Sequence, residues 1–169
     1  MARRVFQNPN WTPTVTGDAA NLANTTFMAI QGGTTTQNIK IQEVMIEGLA
    51  SSSSPTLLML ARDSIVGATP TSLAAPTSDG PLNPATAALA APPVSFISAT
   101  TSPQRSNSTS LARLNFNLNA FGGIIRWLAD RDEEFWLLGN AASNGEASLS
   151  AYTGGSVGAV SAHMIYEPL

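Results

Sequence analysis

Cysteine is absent from this chain of 169 residues, lysine occurs only at Lys40, and histidine only at His163. Each scarcity removes a class of chemistry. Without thiols there are no disulfides, no thiolate metal sites and no cysteine nucleophile. One histidine cannot build a histidine-rich zinc site. A Ser-His-Asp triad would have to use His163, and no G-x-S-x-G elbow accompanies it. Charge is scarce as well, since Asp, Glu, Lys and Arg make up 11% of the chain. That is less than half of the roughly 25% usual in soluble domains. The net charge is −3 and the only basic pair is Arg3–Arg4, so the stripe that a nucleic-acid binder needs is missing. No apolar run reaches the roughly 18 residues of a membrane span. The opening MARRVFQNPNWTP has two arginines without the apolar stretch of a signal peptide behind them. Nucleic acid, membrane, cofactor and metal therefore all drop out of the expectation.

What remains suits one folded domain. Hydrophobic residues make up 43% of the chain, enough for a core, and the length favours one domain over two. A weakly charged surface resists association poorly, so much of it is expected to be covered by partners.

Short apolar segments punctuated by Gly, Asn, Ser and Pro read as strands. TTFMAI (25–30), TLLMLAR (56–62) and VSFIS (94–98) are continuous runs of strand length. LARLNFNL (111–118) alternates cleanly, with Ala112, Leu114, Phe116 and Leu118 on one face. GIIRWLA, EFWLLGN and EASLSAY follow, and VGAVSAHMIY closes the chain with Val160, Ala162, Met164 and Tyr166 on one face. NIKIQEVMIEGLA changes parity midway: Ile39 and Ile41 share one face, Val44 and Ile46 the other. With a period of two, that slip implies a bulge near Gln42 and Glu43 or a strand apolar on both faces. A helix is the competing reading for this segment. About eight strands without an amphipathic helix make an all-β protein, an antiparallel β-sandwich or jelly roll. Residues 1–24 read as an extended N-terminal segment and 25–169 as a single sandwich domain.

Residues 67–93 interrupt that pattern with six prolines, two glycines and many alanines. Proline lacks the N–H that a central strand donates, so this stretch cannot supply a core sheet element. It reads as a loop, or as an extended arm lying along a neighbouring subunit. Arg3, Arg4 and Trp11 on the N-terminal segment, and Pro76, Pro81 and Pro84 on the arm, are the candidate partner contacts.

The run DRDEE (130–134), between two apolar segments that each carry a Trp, is the densest cluster of charge. Paired carboxylates can act as acid and base or ligate a hard cation. The run misses the spacing of a calcium loop, and Arg126 and Arg131 offset its charge. Its place between two strand-like segments predicts a solvated hairpin tip, with Trp127 and Trp136 as cross-strand core neighbours. No catalytic residue is assigned, and the chain is expected not to be an enzyme.

The stretch LNFNLNAFGGIIRWLADRDEEFWLLG, the Ser-rich strand after it and the closing VSAHMIYEPL resemble small virion proteins of tailed bacteriophages. These are the capsid decoration, or cement, class and related β-sandwich head and fibre proteins. The resemblance implies a protein on the outside of a phage head, often a homotrimer, bound to the major capsid protein. It would be assembled in the host cytoplasm, stiffen the shell and do no chemistry. No motif fixes family site residues. Three other readings stay open. One is a lectin-like fibre module binding glycans through Trp11, Tyr152 or the acidic run. Another is a hydrolase using the 130–134 carboxylates, and the last is a self-assembling jelly-roll shell protein.

Overall fold

The computed structural model describes residues 6–14, 26–63, 68–72, 80–82, 94–101, 113–130, 134–139, 141, 145–151 and 158–169. These contain twelve strands: β1 (Phe6–Thr14), β2 (Thr26–Gln31), β3 (Ile39–Leu49), β4 (Pro55–Arg62), β5 (Ala68–Ser72), β6 (Gly80–Pro81), β7 (Val94–Thr101), β8 (Arg113–Asn119), β9 (Phe121–Leu128), β10 (Phe135–Leu137), β11 (Glu146–Ala151) and β12 (Val160–Pro168). No helix occurs among the described residues. Sheet A runs β10-β3-β12-β1-β6, with β9 also on β3, and sheet B runs β5-β7-β2-β11-β4-β8. Every pairing is antiparallel. The all-β expectation is met, and all nine strand segments read from the sequence are present. The links from β1 to β2, β5 to β6 and β6 to β7 pass through residues outside the described set, so the jelly-roll path is not established.

One apolar cluster joins the sheets. Sheet A contributes Ile39, Ile41, Val44 and Ile46 from β3 and Val160, Ala162, Met164 and Tyr166 from β12. Sheet B contributes Met28 and Ile30, Leu58 and Leu60, Phe116 and Leu118, and Ala147 and Leu149. Each fully buried aliphatic side chain of this kind contributes about 1.5–3 kcal/mol relative to exposure. The predicted faces of β8 and β12 are the observed ones: Phe116 and Leu118 are buried while Asn117 and Asn119 are exposed, and β12 alternates throughout.

The parity change in β3 is a β-bulge. Ile165 pairs with Glu43 and Tyr166 with Ile41, leaving Gln42 as an extra residue on β3. A regular strand would have put Glu43 and Glu47 on the core face beside Ile39 and Ile41. The bulge turns Val44 and Ile46 inward instead and sends Glu43, Met45 and Glu47 to the outer face. The helical alternative for this segment is excluded.

The hairpin expected around DRDEE does not form. β9 and β10 both pair antiparallel with β3, Leu128 opposite Glu43 and Phe135 opposite Ile41. They therefore run the same way along one edge of β3, one on each side of Gln42, and residues 131–133 between them lie outside the described set. The N–H of Ala129 donates to the Gln42 carbonyl at 2.8 Å, just past the end of β9. Trp127 sits opposite Val44 and Trp136 opposite Lys40, so the two tryptophans are not cross-strand neighbours.

Two expectations bear on the chain's less regular parts. Phe6–Thr14, read as part of an extended segment ahead of the sandwich, is a strand of sheet A between β12 and β6. Of the proline-rich arm, β5 and β6 are described, and both lie at sheet edges, where Pro70 and Pro81 cost no central ladder bond. Most of the arm, with Pro76 and Pro84, lies outside the described residues.

The chain passes from sheet B to sheet A at the buried Ala120, between β8 and β9. Ala120 N–H donates to Ser54 O at 2.8 Å, and its carbonyl accepts from Ala50 N at 2.9 Å. Asn119 Oδ1 accepts from the N–H groups of Ser54 and Phe121, both at 3.0 Å. Gly48 faces this corner, and a Cβ there would collide with the Ala120 backbone.

Candidate functional site

The outer face of sheet A gathers charge that the sequence spreads thinly. The bulge places Glu43 outward, and the register sets it beside Leu128 on β9 and Ile165 on β12. Glu43 is only 6% exposed, so its carboxylate needs a partner. Arg126, two residues along β9, supplies a fork: Nε donates to Oε1 at 2.8 Å and Nη2 to Oε2 at 2.9 Å. Bidentate geometry of this kind is the strongest form of the carboxylate–guanidinium pair. On the other flank His163 Nε2 lies 3.7 Å from Glu43 Oε1.

The hydrogen bond from Arg126 lowers the Glu43 pKa below its ordinary value. Burial opposes the shift, while the charges of Arg126 and of a protonated His163 reinforce it. The same bond raises the Arg126 pKa. Arg126 was expected to offset the acidic run, but its guanidinium is committed to Glu43.

Two further contacts extend the face around the bulge. Lys40 Nζ pairs with Glu134 Oε1 at 2.8 Å and lies 5.3 Å from the centre of the Trp136 ring. Gln42 Nε2 donates to Glu167 Oε2 at 2.8 Å. Glu134, the last residue of the acidic run, is thus a structural ion-pair partner. Asp130 is exposed, and 131–133 lie outside the described residues. Among the described residues no three His, Asp or Glu side chains are placed to share a metal ion.

Apolar side chains frame these charges along the β9–β10 edge. Ile124 is 66% exposed, Leu128 55% and Trp136 36%; Phe121 and Leu49 pair at one end and are both exposed. The arrangement is a half-buried, mutually neutralised charge cluster beside an apolar border. Its carboxylates are tied to cations rather than poised as acid and base. Chemically, it can recognise a complementary surface.

Two of the sequence candidates fall in described strands. Trp11 lies in β1 and Pro81 in β6, next to each other in the sheet order but with side chains outside the described residues. Arg3, Arg4, Pro76, Pro84 and Tyr152 lie outside the described residues. The Glu43–Arg126–His163 cluster was missed because its members are far apart in sequence. Two signals pointed to it: the parity slip at Gln42, and an Arg on a strand otherwise apolar on both faces. Compared with protein-family models, with curated proteins and with solved structures, the chain matches none.

Proposed function

We propose that this chain is a structural, partner-binding protein of a phage head, a decoration protein that attaches to the capsid and does no chemistry. The observation that carries the reading is the outer face of sheet A. There Glu43 is held by Arg126 and Glu134 by Lys40, both beside exposed apolar side chains. A pre-formed, internally neutralised charge pattern presents fixed donors and acceptors at little ordering cost, which suits docking on a rigid shell. The partner is the major capsid protein and the location the outside of the head. A homotrimer belongs to the same expectation, and no feature among the described residues asks for three-fold symmetry.

The glycan-binding reading has less support. Trp136 is the exposed aromatic that a sugar would stack on, and the Lys40 ammonium already lies over its ring.

Pelleting tests the proposal. Purified heads lacking the protein should carry it down, and Trp136→Ala combined with Glu47→Lys should lower occupancy by about tenfold or more. Wild-type protein left in the supernatant would overturn the reading. Undiminished occupancy of the double variant would remove this face as the contact.

A further inference from the structure

We propose that Glu47, on the outer face of sheet A, receives an arginine that the docking partner carries among apolar side chains. The inference rests on the reading of this face as a contact surface, and it names the chemistry that the surface takes.

The charges of the face single out Glu47. Among the described residues the face carries four carboxylates, Glu43, Glu47, Glu134 and Glu167, against two permanent cations, Lys40 and Arg126. Both cations are committed, Arg126 to Glu43 and Lys40 to Glu134. Glu167 accepts from Gln42. Of the four, Glu47 alone has no side-chain partner among the described residues. In the sheet it lies between Ser161 on β12 and Ile124 on β9, and neither carries a charge. The surplus on the face is negative, so a complementary surface brings a cation to it.

The surroundings choose arginine over lysine. Ile124 beside Glu47 is 66% exposed, and Leu49, two residues further along β3, is exposed together with its register partner Phe121. The register shifts between Glu47 and Leu49, where Gly122 and Gly123 lie opposite Gly48. β9 therefore has no side chain between Phe121 and Ile124. A half-buried carboxylate framed by apolar side chains suits a strongly hydrated ammonium poorly. An arginine satisfies both parts of this surface. Its aliphatic stem covers Ile124 and Leu49, and its guanidinium can stack on the Phe121 ring and fork both carboxylate oxygens. The chain already makes such a fork with its own residues nearby, where Arg126 holds Glu43. Glu47 offers the second fork.

Titrating the isotope-labelled full chain with acetyl-Leu-Arg-Leu-amide tests the assignment without any capsid. The amide signals of Glu47, Ile124 and Ser161 should shift, with an affinity at least about fivefold above that of the matching lysine or glutamine peptide. Glu47→Gln should lose the response. Its side chain is partly exposed and unpaired, so circular dichroism should show the variant folded. Purified heads lacking the protein then locate the arginine. Glu47→Gln should lower occupancy at least about fivefold in pelleting, and added salt should weaken wild type more than the variant. A peptide that is silent at Glu47, or that binds equally well with lysine, overturns the inference even where wild type pellets. Undiminished occupancy of Glu47→Gln overturns it too. Wild type left in the supernatant while the peptide binds overturns the capsid reading and leaves the arginine site standing. Self-association that Glu47→Gln abolishes would place the arginine on a second copy and overturn the capsid as its source.

Discussion

β12 and β9 flank the same strand, β3, one on each side, and both are rich in apolar residues. β12 lies between β3 and β1, and its side chains alternate buried and half-buried from Val160 to Pro168. β9 lies at the edge, and its residues alternate between exposed and half-buried. Hydrophobicity is comparable in the two, so it does not decide which is covered. Position in the sheet decides, and position is set by β3, whose register shifts at Gln42 against β12 and between Glu47 and Leu49 against β9. In β12 the apolar residues are spent on the core. In β9 Ile125 and Trp127 only lean on it, and Ile124 and Leu128 stay exposed.

The sharpest way to break this comparison is to delete residues from β3. Removing Met45 would turn Ile46 outward and Glu47 into the core, burying an unpaired carboxylate. That cost rivals the roughly 5–15 kcal/mol stability of a whole domain, so no cooperative urea transition is expected. Removing Gln42 should be survivable, because Ile41 would then precede Glu43 in ordinary alternation and the β12 ladder would close. Its expected cost is about 1–3 kcal/mol, for the bonds Gln42 makes to Ala129 and Glu167. A Gln42 deletion as ruinous as the Met45 deletion would mean that the bulge, and not the parity it restores, holds the sheet.

Point substitutions make the same contrast on a smaller scale. Met164→Ala on β12 empties a fully buried site and should cost about 2–5 kcal/mol. Ile124→Ala on β9 removes a side chain that is 66% exposed. It should change monomer stability by no more than about 0.5 kcal/mol. Urea midpoints measured on the two variants decide it, and comparable losses would show β9 to be part of the core.

Much of this architecture was legible from periodicity. The nine strand segments, the faces of β8 and β12 and the bulge at Gln42 follow from which residues can share a side of a sheet. The direction of β10 was not. A charged run between two apolar segments looks like a hairpin tip, and only the pairing of both segments with β3 shows that the chain resumes its course. Nor does local pattern show that Phe6–Thr14 joins the sheet, because NPNWTP carries two prolines and no alternation. For the site, sequence pointed to Arg126 and Glu134 as neighbours in one acidic cluster. The fold assigns them to different partners, Glu43 and Lys40, 83 and 94 residues away in the chain.

An effect smaller than the core loss tests what the Glu43–Arg126 fork contributes where β3 meets β9. The fork lowers the Glu43 pKa below the ordinary 4.5, chiefly through the Arg126 hydrogen bond. A carboxylate with a depressed folded-state pKa stabilises fully above its unfolded value, and that contribution is lost as pH falls through the folded value. The raised pKa of Arg126 acts in the opposite sense, present below its ordinary value and lost only at extreme alkalinity, so it does not shape the acid limb. Glu43→Gln should therefore be less stable than wild type at neutral pH, by clearly less than the Met164→Ala loss. The gap should close as pH falls below 4.5 and through the lowered value. Paired urea titrations across that range read it directly. A gap independent of pH would mean that the side chain holds β9 to β3 by packing, and the charge of the fork would then be free to serve only what docks on the face.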